Sequence, residues 1–91
     1  MTMEEASCFK LLDSYARDRH KCFLAEMSLS TDGKYALCFR PTAARKNSPK
    51  QYACRYLHLG ADEVRAVGRK GEVPNTITEI LDRELPTLSQ S

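Results

Sequence analysis

The sequence predicts an α+β fold: a central antiparallel sheet of three to four strands flanked by an N-terminal and a C-terminal helix. Two segments of alternating apolar residues on either side of an Asp-Gly pair predict a β-hairpin. Apolar residues at helical spacing near both ends of the chain predict the two helices. The length of 91 residues suits one small core, so residues 1–91 are expected to form a single domain.

The N-terminal helix is predicted over residues 3–18. Acidic side chains fall in its first turn and basic ones in its last, which suits the helix dipole. Its apolar stripe consists of Cys8, Phe9, Leu12, Tyr15 and Ala16.

The hairpin follows in residues 22–40, and its register depends on the length of its loop. A two-residue loop at Asp32-Gly33 sets Leu29 opposite Ala36, against the weaker apolar row of the second strand. A three-residue loop sets Leu29 opposite Tyr35 and puts Gly33 at the left-handed position that such a loop needs. We favour the three-residue loop. It also pairs Met27 with Leu37 and Ala25 with Phe39.

The next elements are a third strand and a short fourth one. Residues 51–59 are β-rich and apolar on both sides, which is typical of a central strand covered on two faces. Residues 63–67 alternate weakly and predict a short strand, and residues 68–71 predict a turn. Asn75 or Thr76 is expected to cap the C-terminal helix, with a capping box over residues 76–79 and an end at Pro86.

Charge and composition exclude several classes of protein. Fourteen basic and twelve acidic residues give a net charge of +2, too even to demand a nucleic-acid or membrane partner. No apolar run approaches the roughly 18 residues of a membrane span, and the N-terminus lacks the pattern of a signal peptide. We therefore expect a cytoplasmic protein without a membrane partner.

The four cysteines lie at positions 8, 22, 38 and 54, and none forms a Cys-x-x-Cys pair. We expect reduced, mostly buried thiols in an intracellular protein, with a secreted domain containing two disulfides as the alternative. Together with His20 and His58 they give no metal-ligand spacing, so no metal is expected. The sequence also lacks a phosphate-binding glycine loop and a paired-carboxylate motif, so we expect no enzyme activity, cofactor or small-molecule substrate.

Several segments, in this order, resemble the Src homology 2 domain, a phosphotyrosine-peptide module with a sheet between two helices. The family's second strand opens with Phe-Leu-Val-Arg-Glu-Ser and is followed by a Ser/Thr-rich loop, a glycine and a Tyr-x-Leu strand. The matching segments here are Phe23-Leu24-Ala25-Glu26-Met27-Ser28, Ser30-Thr31-Asp32-Gly33, Tyr35-Ala36-Leu37, Gln51-Tyr52-Ala53-Cys54, and Asn75-Thr76-Ile77 before Ile80-Leu81.

The resemblance implies a pocket between the first helix and the sheet, and this chain departs from the family there. Glu26 stands where the family has the arginine that pairs with the phosphate, and Gln51 stands where it has a histidine. Ser28, Ser30 and Thr31 match hydroxyls of the family's pocket. Because a carboxylate repels a phosphate dianion, we expect standard phosphotyrosine binding to be lost or much weakened.

Two binding functions follow as hypotheses. The first is a protein-interaction module that binds a peptide, phosphorylated or not, or a folded partner, or holds another domain in place. Tyr56 and His58 would meet an extended peptide, and Glu26 is either solvated or paired with Arg40 or Arg55. The second, less favoured, is a small RNA-binding domain, with sheet aromatics stacking on bases and basic residues on the phosphates. The residues assigned to that second function are Tyr35, Tyr52, Tyr56, Arg45, Lys46, Lys50, Arg69 and Lys70.

Overall fold

The computed structural model describes residues 2–42 and 54–89. It confirms an α+β fold with three antiparallel strands in one sheet and helices on both the N-terminal and the C-terminal side of that sheet in sequence. The elements are α1 (Met3–His20), β1 (Cys22–Leu29), β2 (Lys34–Pro41), β3 (Arg55–Gly60), α2 (Ala61–Lys70), α3 (Asn75–Glu84) and the short α4 (Pro86–Ser89).

Helix α1 is two residues longer than predicted and is capped at both ends. Thr2 and Glu5 form a reciprocal capping box at its start. At its end Lys21 adopts a left-handed conformation with φ of 54° and donates its backbone N–H to the carbonyl of Ala16. Only Lys21 therefore separates α1 from β1.

The hairpin has the predicted three-residue loop. The N–H of Ser30 donates to the carbonyl of Lys34 at 2.9 Å, which leaves residues 31–33 as the loop. Gly33 has φ of 81°, in the left-handed region that favours glycine. Leu29 lies opposite Tyr35 and Met27 opposite Leu37, as predicted.

The predicted pairing of Ala25 with Phe39 is wrong because β1 contains a bulge. Leu24 pairs with Phe39 and Glu26 with Cys38, so Ala25 is the extra residue and is exposed. The bulge turns Leu24 towards the core, where it is 3% exposed. Its N–H, directed away from β2, is bound by the Asp13 carboxylate of α1 at 2.9 Å.

Strand β3 is an edge strand, whereas the sequence predicted a central one. The strand order is β1-β2-β3, which makes β2 central. Only the face of β3 that carries Leu57 and Leu59 is buried, and its other face carries the exposed Tyr56 and His58. Residues 51–53 of the predicted strand lie outside the described residues.

The predicted strand over residues 63–67 is wrong, because this segment belongs to helix α2. Val64 and Val67 are three residues apart and both are buried, so the true period of the segment is helical. The carboxylate of Glu63 accepts the N–H of Gly60, which ends β3 and starts α2. Gly68, predicted in a turn, lies inside α2, and the left-handed Gly71 ends the helix.

Helix α3 begins without the predicted side-chain cap. Pro74 is its N-cap residue and makes no side-chain cap bond, so the predicted cap at Asn75 or Thr76 and the capping box over residues 76–79 are wrong. A proline at this position lacks an N–H, and its fixed φ directs the chain into the helix. The helix ends at Glu84, before Pro86 as predicted, although Pro86 opens the short α4.

One hydrophobic core holds these elements together on one face of the sheet. The core-facing positions of all three strands contact buried residues of α1, α2 and α3. The largest fully buried side chains are those of Phe39, Leu12, Leu37, Ile77, Leu81, Leu85, Val64 and Val67. Within residues 2–42 and 54–89, none of the helices has the length and apolar character needed to cross a membrane.

Candidate functional site

The sheet face turned away from the core gathers most of the predicted site residues. Because side chains alternate along a strand, the residues between the core positions of β1, β2 and β3 share this second face. The register aligns Glu26, Cys38 and Tyr56 in one row across the three strands, and Ser28, Ala36 and His58 in the next. We call this surface the open face. It consists of Phe23, Glu26, Ser28, Ala36, Cys38, Arg40, Tyr56 and His58.

Tyr56 is the most prominent side chain of the open face. It is 58% exposed, although a tyrosine offers a large apolar area for burial. Cys38 lies directly opposite on β2 and is 5% exposed, but it does not belong to the core on the other side. A hydrogen bond with the Cys38 thiol, followed by the nearby charges of Cys38 and Cys54, raises the pKa of Tyr56.

Glu26 does not line a pocket between α1 and the sheet. It pairs with Cys38 on the open face and is exposed, whereas α1 packs on the opposite face. Arg40 is diagonal to Glu26 across the strands, as predicted, but no ion pair joins these two described residues. The Src homology 2 resemblance implied that Glu26 lines a pocket between the first helix and the sheet, and this predicted position is wrong.

Arg55 is also separated from Glu26. It lies opposite Phe39 on the core side of β3 and forms an ion pair with Glu84 of α3. The Arg55 guanidinium holds the pKa of Glu84 below its ordinary value. Arg55 thus fastens α3 to the sheet and is unavailable to Glu26.

The hydroxyl residues of the resemblance fall in two different places. Ser28 lies on the open face beside Ala36. Ser30 directly precedes the hairpin loop, and Thr31 is the first residue of that loop. The Ser30 hydroxyl lies within hydrogen-bond distance of the Asp32 carboxylate and the Lys34 carbonyl and shares its one hydrogen between them. The bond to Asp32 lowers the pKa of that carboxylate. Since Ser30 is engaged by an anionic neighbour, this loop is a poor receptor for phosphate. Gln51 lies outside the described residues.

The arrangement proposed for RNA stacking is not formed by Tyr35 and Tyr56. Tyr35 is 5% exposed on the core side, where its hydroxyl donates to Glu5 at 2.6 Å. Tyr56 lies on the other side of the sheet, so the two rings share no platform. Arg69 is on α2, 3.4 Å from the Glu4 carboxylate. The predicted contributors Arg45, Lys46, Lys50 and Tyr52 lie outside the described residues.

A polar cluster between α1 and α3 was not predicted. One oxygen of the Asp82 carboxylate accepts the Tyr15 hydroxyl at 2.7 Å and lies 2.7 Å from Nε2 of His20. The bond from Tyr15, followed by that from His20, lowers the pKa of Asp82. These residues are more than 60 positions apart in sequence, so no local spacing signals the contact. The cluster joins α1 to α3.

The thiols of the described residues are all free. Cys8, Cys22 and Cys38 are buried, as the sequence predicted, and Cys54 is half-buried. Among residues 2–42 and 54–89, no three His, Cys, Asp or Glu side chains come close enough to hold a metal ion. Compared with known proteins, the chain matches no family model, no curated protein and no solved structure.

Proposed function

We propose that this protein is a non-enzymatic protein-interaction module that binds a protein or peptide partner on its open face. The observation that carries the proposal is the 58% exposure of Tyr56 on a sheet face that none of the described helices covers. Aromatic side chains dominate the binding energy of many protein interfaces. A tyrosine held on a strand adds contact area while losing little conformational entropy on binding.

The surroundings of Tyr56 support a protein partner. Its neighbours on β2 in the two rows, Cys38 and Ala36, have short side chains, and the ring remains 58% exposed beside them. On the strands of this face the acidic Glu26 and the basic Arg40 balance each other, so its described strand residues carry no excess of the positive charge that favours nucleic acid. A nearly neutral face with a central aromatic ring resembles the composition of protein interfaces.

The same face supports loss of standard phosphotyrosine binding. A phosphate dianion there would meet the carboxylate of Glu26, which repels it. In the hairpin loop a phosphate would meet Asp32. The proposal therefore rests on the open face and does not require kinship with the Src homology 2 family. The free thiols favour a reducing, cytoplasmic setting.

A site-specific photocrosslinker tests the proposal. Benzoylphenylalanine in place of Tyr56 should join the partner in cells, whereas the same residue in place of Glu79, exposed on α3, should not. The purified partner should then bind Tyr56→Ala about tenfold or more weakly than the parent chain, as expected for an aromatic anchor. Glu79→Ala is the matched control and should bind like the parent.

Two further titrations distinguish the competing ligands. We expect phosphotyrosine peptides and RNA to leave the backbone amide shifts of the open face unchanged. Binding of RNA that maps to Tyr56 and weakens steeply with salt would contradict the proposal. So would a partner that crosslinks equally from positions 56 and 79.

A further inference from the structure

The free edge of β3 can be defined from the hydrogen bonds of the hairpin. The Lys34 carbonyl accepts the N–H of Ser30, so the backbone groups of Lys34 face β1. Because these groups alternate in direction along a strand, those of Tyr35, Leu37 and Phe39 face β3. The residues that they pair with on β3 are Leu59, Leu57 and Arg55.

Tyr56 and His58 consequently direct their N–H and C=O groups away from the sheet. Gly60 has the same direction, and its N–H is bound by Glu63 at 3.2 Å, which agrees with this assignment. For Tyr56 and His58, no partner for these groups is found within residues 2–42 and 54–89. The N–H and C=O groups of these two residues, four groups in all, thus lie along one short edge without a partner among the described residues.

The opposite edge of the sheet is guarded. On β1 the outward N–H of Leu24 is already bound by Asp13 of α1, and the bulge at Ala25 interrupts the strand. Bulges and covering groups of this kind prevent strands from pairing with other chains. The contrast singles out β3 as the edge that accepts another strand.

We propose that β3 pairs antiparallel with β3 of a second copy of this chain, with Leu57 on the twofold axis. In this register Tyr56 faces His58 of the second copy, and His58 faces its Tyr56. Each of these two pairs exchanges two backbone hydrogen bonds, so all four unpaired groups of both chains are satisfied. The two three-stranded sheets become one continuous six-stranded sheet.

The side chains are compatible with this register. Tyr56 and His58 of the second copy meet on the open face, as an aromatic cross-strand pair. On the core side, Arg55 lies opposite Leu59 of the second copy, so like charges do not face each other. A register shifted by two residues would set Tyr56 against Gly60, whose N–H is already bound by Glu63, or His58 against Cys54, which precedes the strand.

Partner binding at Tyr56 depends on the exposed side chain, whereas the proposed pairing depends on backbone groups. A strictly monomeric chain that still crosslinks its partner from position 56 would overturn the pairing and leave the proposed function standing.

Sedimentation velocity over a range of protein concentrations tests the pairing. We expect a monomer–dimer equilibrium in the parent chain, and His58→Ala, which loses the side chain but keeps its N–H, is the reference against which the effect of proline is measured. In His58→Pro the outward N–H is absent, but the hydrogen bonds to β2 do not involve it. Loss of two of the four backbone bonds should weaken the dimer about tenfold or more.

An NMR measurement on the unsubstituted chain tests the pairing even if the proline variant misfolds. In a sample of mixed isotope-labelled and unlabelled chains, the Hα atoms of the two Leu57 residues should give an intermolecular contact. Such contacts mark a non-hydrogen-bonded antiparallel pair, in which the Cα atoms lie about 4.5 Å apart. A monomer at every concentration, a dimer without this contact, or an unweakened dimer in folded His58→Pro would overturn the proposal.

Discussion

The hydroxyl of Tyr35 donates a 2.6 Å hydrogen bond to the carboxylate of Glu5 and so ties the first turn of α1 to the start of β2. The same carboxylate accepts the backbone N–H of Thr2 in the capping box. The bond from Tyr35, followed by those from Thr2, lowers the pKa of Glu5 from 4.5 to about 2. Glu5 therefore links a local helix cap to the tertiary structure.

This link predicts a specific dependence of stability on pH. Because the pKa of Glu5 is lowered on folding, its contribution is complete above pH 4.5 and is lost as the pH falls towards about 2. Tyr35→Phe should be less stable than the parent at neutral pH, and the difference should shrink over that interval. Urea unfolding of the parent and of Tyr35→Phe at several pH values measures the difference in their unfolding free energies. A difference that is independent of pH would contradict the role of Glu5.

The crossing of α1 and α2 predicts the effect of a change at Gly68. A Cβ atom at this position would lie 2.0 Å from the backbone carbonyl oxygen of Glu4. Helix propensity alone predicts that Gly68→Ala stabilises the protein by roughly 1 kcal/mol. We expect the clash to prevail and to destabilise it by about 1–3 kcal/mol, as overpacking does.

Gly60→Ala is the matched control for this experiment. Its Cβ would approach only the flexible carboxylate of Glu63, at 3.4 Å, and the φ of −66° suits any residue. Chemical unfolding should show Gly60→Ala near the parent chain and Gly68→Ala well below it. A stabilised Gly68→Ala would show that the helices separate at little cost.

The open face predicts how the Tyr56 phenol titrates. The hydrogen bond with Cys38 is the largest cause of its raised pKa, followed by the nearby charges of Cys38 and Cys54. Cys38→Ala should therefore lower the pKa of Tyr56 towards its ordinary value of 10, and Cys54→Ala should lower it less. Carbon NMR of labelled tyrosine follows the titration. Equal effects of the two substitutions, or no effect, would refute the contact.

Burial predicts an order of reactivity among the thiols. Desolvation raises the pKa of Cys8 to about 11 and also raises that of Cys22, which suppresses their thiolates. Cys54 is half-buried, so iodoacetamide at mildly alkaline pH should modify Cys54 well before Cys8 and Cys22. Peptide mapping of partly alkylated protein measures the order. Labelling of Cys8 as fast as Cys54 would mean that the core opens readily.

The hairpin was predictable because its signals are local. Alternation on both sides of Asp32-Gly33 fixes the register at Leu29 and Tyr35, and the glycine fixes the loop. Helix α2 was missed because Val64 and Val67 span only one turn, and so short a segment also fits an alternating pattern. Its position is fixed by contacts with α1, which sequence spacing does not reveal.

The candidate site was predictable only in part, for a similar reason. Local alternation places Glu26 and Ser28 on one side of β1, and the hairpin register sets them opposite Cys38 and Ala36. Which side faces the helices depends on the packing of the whole chain, since both sides of β1 carry polar and apolar residues. The Src homology 2 resemblance assigned Glu26 to the face of the sheet that the helices cover, whereas in the structure Glu26 lies on the open face.

The bulge at Ala25 allows β1 to follow both the end of α1 and the hairpin loop, which would otherwise require opposite side-chain alternation along the strand. Because Lys21 alone connects α1 to β1, the orientation at which the chain enters the sheet follows from where the helix stops. The tight turn at the far end imposes its own orientation on the same strand. One surplus residue absorbs the mismatch, so both Cys22 and Met27 reach the interior. Deleting Ala25 would force either the helix terminus or the turn to give way.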